Sequence, residues 1–355
     1  MNISRRKLKP SVLIVVESWI GKGGVQTFSL NIKKMLNEGG IQSGIFVYGK
    51  SDSKEALENH FRYLPGMYGL FRVLLEIFLK RPSHIVLNQP KSLVLAPILS
   101  IFFNVDYVVH IDGDRFLKGR HRSIYFNVLT RYMRGYVYVM SKENMRKLEI
   151  KYKIPGQKLK FVRPPLFFED LDRVPDPGDR EFDIIFYGRL AAQKDPLKFI
   201  DICDSVVSEI GSLRVCIVGD GPLSKAVTSR LEHAVFECKK ISFVEQDEGF
   251  RLLREAKLFC LTSTHEGLGF TLIESAFNGT VPICGPIASG PKELISELGA
   301  AVPSLDVADY KDTIVALLRD MDKLRSLQQR AVSAAREYKS ERVVDQYLFA
   351  GGDAQ

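Results

Sequence analysis

The sequence predicts an α/β protein built from two doubly wound domains. Short apolar runs of strand length alternate with segments of helical periodicity along most of the chain. A stretch rich in proline and acidic residues, Pro164–Gly178, interrupts this alternation near the middle and is typical of a linker. The length of 355 residues and the hydrophobic content of 45% are sufficient for two separate cores.

Charge is divided unevenly between the two halves. Residues 1–167 hold 28 lysines and arginines against 11 acids, and residues 168–355 hold 22 against 31. The basic half indicates an anionic partner, and nucleic acid, anionic lipid headgroups and a phosphorylated acceptor all qualify. Six cations without an intervening acid form its densest run, although such runs are usually solvated faces. They are Arg115, Lys118, Arg120, Arg122, Arg131 and Arg134.

Cysteine usage and hydropathy restrict the cellular setting. The apolar run Val12–Val16 stops at Glu17, which is too short for a signal peptide, and no stretch approaches the ~18 apolar residues of a membrane span. Leu93–Phe103 comes closest, but Pro97 and its length predict a buried segment. The cysteines lack zinc-ligand spacing, and we expect buried free thiols in a reducing compartment. They are Cys203, Cys216, Cys238, Cys260 and Cys284.

The first half starts with a predicted strand at Val12–Val16 and a glycine-rich loop that enters a helix at about residues 26–37. Gly23 and Gly24 in this loop fit either a flexible connection or a phosphate or acceptor site at a helix N-terminus. Further along, the apolar segment Gly69–Lys80 has two interpretations. A helix packed into the domain is favoured, and an interfacial membrane helix is the alternative.

A histidine ends the predicted strand Tyr107–His110. Ligands collect beyond the carboxyl ends of parallel strands, which makes His110 a candidate site residue, although a lone histidine is more often structural. In the loop that follows, Asp112 and Asp114 could orient this histidine or bind acceptor hydroxyls, with Arg115 beside them. The next predicted helix, Ser141–Tyr152, has Ser141 as its N-cap.

In the second half, the predicted strand Phe182–Tyr187 is followed by Arg189 and Lys194 before a helix. Arginine supplies a planar fork of donors and lysine a mobile point charge, which suits a diphosphate, although both could be ordinary surface cations. The next strand, Leu213–Val218, also ends in a glycine turn. The glycines of these two turns are Gly188, Gly219 and Gly221.

The segment from Ser263 to Glu274 is predicted to be a turn leading into a helix that begins at Phe270. The free N–H groups and partial positive charge of this helix N-terminus form a site for phosphate. Glu266 lies before the helix and Glu274 lies two turns into it. Glu266 could be stabilised by the helix dipole, or it could bind sugar hydroxyls or face a developing cation.

These motifs together resemble those of the retaining nucleotide-sugar glycosyltransferases of family 4 (group 1), which have the GT-B fold. Glu266–Glu274 resembles the Glu-x7-Glu motif, Gly188–Asp195 the donor pyrophosphate signature, and Gly219–Pro222 the G-x-G-P turn. Gly279–Cys284 resembles the helix-to-strand continuation. Ser289–Glu293 takes the place of G-G-x-x-E, with Ser289 replacing one glycine. The resemblance spans the whole chain but is specific in the second half only.

The resemblance implies a hexosyltransferase that moves a sugar from a UDP-linked donor to a hydroxyl of a glycan or lipid-linked glycan, with retention, in cell-surface polysaccharide (lipopolysaccharide) synthesis. It implies catalytic roles for His110, Glu266, Arg189 and Lys194, and no metal or cofactor, because the nucleotide-sugar is a substrate. The implied donor-binding residues are Gly23, Gly24, Gly188, Arg189, Lys194, Gly219, Gly221, Gly267, Leu268, Gly269, Phe270, Thr271 and Glu274.

The resemblance also implies two Rossmann-like domains facing across a cleft: an acceptor-side domain at residues 1–167 and a nucleotide-sugar-binding domain at residues 168–335. Residues 336–355 would be a terminal helix crossing back to the first domain. The basic half then predicts peripheral binding to the anionic inner face of the cytoplasmic membrane. One alternative is a nucleotide-sugar epimerase or phosphorylase on this fold. Another is a nucleic-acid-binding module, disfavoured because the cations lack interleaved aromatic residues.

Overall fold

The computed structural model describes residues 11–17, 19, 24–48, 62–63, 66–110, 120–168, 174–242 and 244–347. The chain divides into two units. Unit 1 comprises Met1–Phe167 and Lys339–Gln355, and unit 2 comprises Phe168–Tyr338. The division after residue 167 coincides with the position expected from the proline-rich stretch. The terminal segment joins unit 1 from Lys339, three residues later than expected.

Unit 1 contains a seven-stranded sheet whose strand pairs are all parallel in the part of the chain that the structure describes. Its strands are β1 Ser11–Val16, β2 Gln42–Val47, β3 Arg62–Tyr63, β4 His84–Asn88, β5 Asn104–Val109, β6 Val137–Val139 and β7 Leu159–Phe161. The spatial order is β3-β2-β1-β4-β5-β6-β7. The order reverses between β1 and β4, and crevices for ligands form outside the carboxyl ends at such switch points.

Helices connect these strands, and their inner faces build the core of unit 1. Ser141 caps the last helix as predicted, because its side chain accepts a hydrogen bond from the amide of Asn144 at 3.2 Å. Buried core side chains include Ile77, Leu99 and Phe126. The helices are α1 Gly24–Glu38, α2 Gly66–Lys80, α3 Ala96–Leu99, α4 Arg120–Tyr132 and α5 Lys142–Ile150.

Two apolar segments of unit 1 are more exposed than the sequence predicts. Helix α2 packs as expected through Ile77, but Leu79 on its other side is 72% exposed. The sequence predicts that Leu93–Phe103 is buried, and this is wrong for Val94, Ile98, Ile101 and Phe102, which are 45–61% exposed. The segment consists of a 3-10 turn, the single-turn helix α3 and a further turn, so only one side of it faces the core.

Unit 2 contains a six-stranded sheet with the order β10-β9-β8-β11-β12-β13, again with parallel pairs throughout the described residues. Its strands are β8 Phe182–Tyr187, β9 Arg214–Val218, β10 Glu237–Ile241, β11 Ala256–Leu261, β12 Val281–Cys284 and β13 Ala300–Ala301. The order reverses between β8 and β11. The loops after these two strands therefore begin at the switch point of the sheet.

The helices of unit 2 cover this sheet. The sequence predicts a helical region at Lys311–Ser333, and the structure divides it at Asp320. The extended Asp320 backbone ends one helix, and its side chain caps the next by accepting from the amide of Lys323 at 2.9 Å. The helices are α6 Pro196–Ile210, α7 Ser224–Leu231, α8 Gln246–Arg254, α9 Phe270–Phe277, α10 Gly290–Leu298, α11 Val307–Arg319 and α12 Met321–Ala335.

The terminal segment is not the single helix that the sequence predicts. It forms two 3-10 turns, Arg336–Tyr338 and Val344–Gln346, on either side of the short helix α13, Ser340–Val343. The reason is a β-bridge between Lys339 and Leu166, which requires an extended backbone at Lys339 and so interrupts the helix.

Four of the five cysteines are buried free thiols as expected, and Cys238 on the edge strand β10 is exposed. Burial raises the pKa of the Cys216 thiol to about 12, which keeps it protonated at neutral pH. Within the described residues, none of the helices combines the length and apolar character that crossing a bilayer requires.

Candidate active site

The loops after β8 and β11 are joined by hydrogen bonds at the switch point of unit 2. We call residues 188–195 the phosphate loop and residues 262–269 the glutamate loop. The amide of Thr264 donates to the carbonyl of Gln193 at 2.8 Å, and the Gln193 side chain donates to the carbonyl of His265 at 2.9 Å. The Thr262 hydroxyl donates to the carbonyl of Lys194 at 2.8 Å. These bonds fix the side chains of the two loops relative to each other.

Glycines allow the turn after β9 to approach the phosphate loop. A Cβ built on Gly219 would overlap the carbonyl oxygen of Gly188, and one on Gly221 would lie 2.5 Å from the carbonyl oxygen of Leu190. The amide of Leu190 donates to the carbonyl of Asp220 at 2.9 Å. The structure thus places the predicted donor residues Gly219 and Gly221 where two backbones pack together.

Helix α9 presents an uncapped N-terminus at this site. Gly269 precedes it with φ 85° and ψ 57°, a left-handed conformation that favours glycine, and no side chain caps the helix. The Thr271 hydroxyl in the first turn is buried and has no hydrogen-bond partner among the described residues. Free amides, a dipole and an unused hydroxyl together form a binding site for an anion.

The glutamate loop is held against helix α10 by close backbone contact. The amide of Gly290 donates to the carbonyl of Gly267 at 3.2 Å, and a Cβ on Gly290 would overlap Leu268. Ser289, which replaces a glycine of the motif, has φ 73° and ψ −132° and is fully buried. A serine therefore adopts the positive φ that glycine adopts more readily, at a cost of about 1–3 kcal/mol.

Lys194 and Glu266 form an ion pair across the two loops. The Lys194 Nζ lies 2.6 Å from Glu266 Oε1, and the side chains are 19% and 10% exposed. Ser263 Oγ donates to the same oxygen at 2.7 Å. No hydrogen bond to Glu266 Oε2 is found within the described ranges, so this oxygen can still accept one from a ligand. Arg189 is exposed and takes part in no ion pair there.

Glu274 on α9 is a carboxylate without a side-chain hydrogen bond from the residues that the structure describes. Burial raises the pKa of its carboxyl from 4.5 to about 7, although the charge of Lys194 acts in the opposite direction. Its negative charge also contributes, after burial, to raising the pKa of Tyr187. A ligand whose hydroxyls donate to this carboxylate would supply the missing hydrogen bonds.

In unit 1, His110 lies just beyond β5 at the end of a buried polar relay. Its Nε2 lies 3.0 Å from Asn88 Oδ1, Asn88 Nδ2 donates to Ser29 Oγ at 2.9 Å, and Ser29 donates to the carbonyl of Val25 at 2.8 Å. Because the Ser29 proton goes to Val25, its oxygen must accept from the Asn88 amide. Asn88 Oδ1 therefore faces His110, which must donate from Nε2 and keep Nδ1 unprotonated.

The environment of His110 also fixes its charge. Burial lowers the pKa of its imidazole from 6.5 to about 3, so it is neutral at physiological pH. The ring packs edge-on against Phe28 with centroids 4.8 Å apart. His110 therefore occupies one orientation and one tautomer, which are the requirements for a group that accepts a hydrogen bond from a ligand hydroxyl through Nδ1.

The structure brings together the predicted residues of unit 2, from the phosphate loop to Thr271 and Glu274. The sequence did not predict three residues that hydrogen-bond to these groups. Ser263 contacts Glu266, and Asn88 and Ser29 form the relay to His110. Ser263 is three residues from the glutamate that it contacts, a spacing that could have indicated the contact. Gly24 begins helix α1. The predicted residues Gly23, Asp112, Asp114 and Arg115 lie outside the described ranges.

The loops and helix N-terminus of this site lie in a region with known relatives. Residues 167–337 match the family model described as "Glycosyl transferases group 1". Residues 167–337 belong to the group 1 glycosyltransferases. An O-antigen biosynthesis glycosyltransferase of Escherichia coli is 23% identical to the chain, over 94% of this chain and 96% of its own. The match to the family model bears out the predicted group 1 glycosyltransferase family for residues 167–337.

A second relative names its acceptor. It is the Campylobacter jejuni "GalNAc-alpha-(1->4)-GalNAc-alpha-(1->3)-diNAcBac-PP-undecaprenol alpha-1,4-N-acetyl-D-galactosaminyltransferase", 24% identical over 54% of each chain. The chain thus spans about half the length of this relative, and it spans 31% of another. The structure of Anabaena HepE in complex with UDP-glucose gives a TM-score of 0.77 at 16% identity, over 95% of this chain and 97% of that one. This likeness confirms the predicted GT-B fold.

The relay predicts a fixed tautomer for His110 that Asn88 controls. In wild-type protein, we expect His110 to remain the neutral Nε2–H form between about pH 5 and pH 8 in ¹⁵N NMR spectra of labelled histidine. Asn88→Asp places a carboxylate against the ring, so the histidine should begin to titrate in this range. Ser92→Ala is the control, because Ser92 donates to the backbone carbonyls of Asn88 and Gln89 without contacting the ring. Titration of wild-type His110 near pH 6.5 would contradict the relay.

The ion pair predicts opposite effects of Glu266 on binding and transfer. Glu266→Gln keeps the shape of the side chain but removes its negative charge, so Lys194 is no longer neutralised and attracts an anion more strongly. The affinity for UDP should therefore rise about fivefold, which corresponds to ~1 kcal/mol. Sugar transfer should fall. Ser263→Ala removes a hydrogen bond to the same oxygen and leaves the charge, so its UDP affinity should stay near wild type in calorimetry. Weaker UDP binding by Glu266→Gln would mean that the carboxylate orients Lys194 for the anion.

Glu274 predicts a trade-off between stability and binding that depends on pH. Its folded pKa of about 7 exceeds the ordinary 4.5, so the native state binds more protons between these values and loses stability as pH rises through them. Glu274→Gln should therefore raise the free energy of unfolding by on the order of 2 kcal/mol at pH 8, and much less near pH 5, while weakening UDP binding. Chemical denaturation at both pH values tests this. The exposed Glu297→Gln should change neither quantity, and an equal effect at both pH values would refute the assignment.

Proposed function

We propose that the chain is a retaining glycosyltransferase that uses a UDP-sugar and glycosylates a hydroxyl of a glycan or lipid-linked glycan. The observation that carries this proposal is the uncapped N-terminus of α9, which follows the glutamate loop paired with Lys194, together with the unpaired carboxylate of Glu274. The phosphate loop that supplies Lys194 also carries the exposed Arg189. Cationic donors beside a helix N-terminus suit a diphosphate. A carboxylate one to two turns further along α9 suits the ribose hydroxyls of a nucleotide.

In the reaction, the bond between the sugar C1 and the diphosphate oxygen breaks, and a bond from C1 to the acceptor oxygen forms on the same face. Arg189, Lys194 and the α9 amides stabilise the charge that develops on the leaving diphosphate. The acceptor proton passes to the departing phosphate. Glu266 holds the donor sugar through Oε2. In unit 1, the neutral His110 can accept a hydrogen bond from a ligand hydroxyl through Nδ1. We propose that Arg189, Lys194 and the α9 amides supply the positive charge that the leaving diphosphate needs, so that no metal ion or cofactor is required.

The charge of the first half and the names of two relatives bear on the acceptor and on the location. The excess of basic residues in the first half favours an anionic surface or acceptor. Arg131 and Arg134 of the cationic run are exposed, and the side chains of the other four lie outside the described part. The Campylobacter relative is named for an acceptor on undecaprenyl diphosphate, and the Escherichia coli relative for O-antigen synthesis. We therefore propose that the protein acts in polysaccharide synthesis at the inner face of the cytoplasmic membrane. We propose no role in binding nucleic acid.

The donor assignment predicts that UDP-sugars bind, and that GDP- and ADP-sugars bind at least tenfold more weakly, when all three are compared by calorimetry. Arg189→Ala should lower kcat/KM for transfer by about 30- to 1,000-fold, equivalent to ~2–4 kcal/mol of transition-state stabilisation. Arg319→Ala, an exposed arginine on α11, is the matched control and should retain wild-type turnover.

Two results would overturn this proposal. One is wild-type turnover in Arg189→Ala, which would remove the diphosphate assignment. The other is conversion of a UDP-sugar to a new UDP-sugar, or to a sugar phosphate with inorganic phosphate, in the absence of any glycan acceptor. Those products would identify an epimerase or a phosphorylase on the same fold.

A further inference from the structure

An exposed apolar surface on unit 1, which we call the ridge, is formed by helix α2 and the turn after α3. On α2 the contributing positions are 71, 75, 78 and 79, a helical spacing that places them on one face. The ring of Phe78 packs edge-on against Phe102 with centroids 5.2 Å apart, which joins the turn to this face. The ridge consists of Phe71, Leu75, Phe78, Leu79, Ile101 and Phe102.

The ridge is exposed although α2 is firmly packed. Ile77 on the opposite side of the helix is completely buried, and Leu74 packs against the core of unit 1. The orientation of α2 is therefore set by the core, and the ridge faces outward as a consequence. The side chains of Phe71, Ile101 and Leu79 are 64%, 60% and 72% exposed. Contiguous large apolar side chains at such exposure mark an interaction surface.

Basic residues surround the ridge. Arg72, Lys80 and Arg81 belong to α2 or follow it directly, and only Lys80 has an ion pair within the helix, to Glu76 at 3.9 Å. The sequence has no acid between residues 77 and 105. Helix α3 packs beside α4, at whose end Arg131 and Arg134 are exposed. The partner of this surface must therefore accept apolar side chains and carry negative charge.

We propose that the ridge inserts into an anionic lipid surface. Its apolar side chains would enter the boundary between headgroups and acyl chains, while the surrounding cations contact lipid phosphates. With 15 residues, α2 is too short to cross a bilayer and would lie in the plane of the interface. A second copy of the chain fits less well, because a twofold contact through the ridge would bring the same cations together.

This inference deepens the membrane location proposed above, but it rests on exposure and charge alone. It therefore holds whether or not the acceptor is lipid-linked. The interfacial membrane helix, which the sequence left as the alternative for Gly69–Lys80, becomes the better description of one face of α2. The packed helix, which the sequence favoured, describes the other face.

The first experiment is co-sedimentation of the full chain with phosphatidylcholine vesicles, with and without about 30% phosphatidylglycerol, at low and high salt. Binding should require the anionic lipid and fall with salt. The double variant Phe71→Ser, Leu79→Ser should bind at least ~10-fold more weakly, because two large apolar groups no longer insert. Ile150→Ser is the control, since Ile150 is 67% exposed on α5 of the same unit.

The second experiment reports insertion directly. The chain has one tryptophan, Trp19, which is 2% exposed and gives a constant background. Phe102→Trp should show a blue-shifted emission with anionic vesicles and quenching by brominated acyl chains. Ile150→Trp should show neither effect.

Three outcomes would overturn the assignment: wild-type binding by the double serine variant, absence of a shift in Phe102→Trp, and self-association without lipid that the double variant abolishes. The last outcome would identify a second copy as the partner. UDP binding measured on the same variants distinguishes these results from a failure of the proposed function, because the ridge lies in unit 1 and the nucleotide residues lie in unit 2.

Discussion

The reversal of strand order within each parallel sheet is the constraint on which the functional arrangement depends. Where neighbouring strands send their connections to opposite faces, the carboxyl ends are left uncovered and the loops begin side by side. In unit 2 this places the phosphate loop next to the glutamate loop and directs the N-terminus of α9 to the same point. In unit 1 it places Ser29, on the helix after β1, beside Asn88 at the end of β4, and the parallel pairing of β4 with β5 then puts Asn88 next to His110 just beyond β5. The positions of the candidate site residues therefore follow from strand order and strand pairing.

Within that framework, three polar residues are held in settings that reduce the stability of the fold. Glu274 is confined in a setting that disfavours its ionised form, Thr271 retains an unused hydroxyl, and Ser289 adopts an unfavourable backbone angle. Burial of the Glu274 carboxyl and of the Thr271 hydroxyl reduces stability unless a ligand supplies their hydrogen bonds, and the positive φ of Ser289 adds backbone strain nearby. Their concentration around one helix N-terminus, in a unit whose core is otherwise well packed, distinguishes a binding site from ordinary surface polarity.

Local sequence patterns predicted most of the fold and the candidate site residues of unit 2. Glycine turns, the cations of the phosphate loop and the two glutamates lie within short segments, so their spacing carries the signal. The relay to His110 could not be found in this way, because Ser29 and Asn88 are 59 residues apart and meet only when helix α1 packs on the sheet. The prediction of a single terminal helix was wrong for a similar reason, because the bridge that interrupts it joins Lys339 to Leu166, which is distant in the sequence. The sequence showed that α2 is apolar. It did not show which of its apolar residues face the core and which are exposed, because this depends on how the helix packs in unit 1.

The return of residues 339–347 to unit 1 has a consequence for synthesis of the chain on the ribosome. Tyr347 is fully buried in unit 1, its hydroxyl donates to the carbonyl of Arg163 at 2.7 Å, and its ring packs near Phe28, which supports His110. All of unit 2 is translated between the two parts of unit 1. Residues 1–167 are therefore synthesised before unit 2, but the core of unit 1 stays incomplete until Tyr347, which follows all of unit 2 in the sequence, has been made. The first unit to emerge is thus the last to be finished.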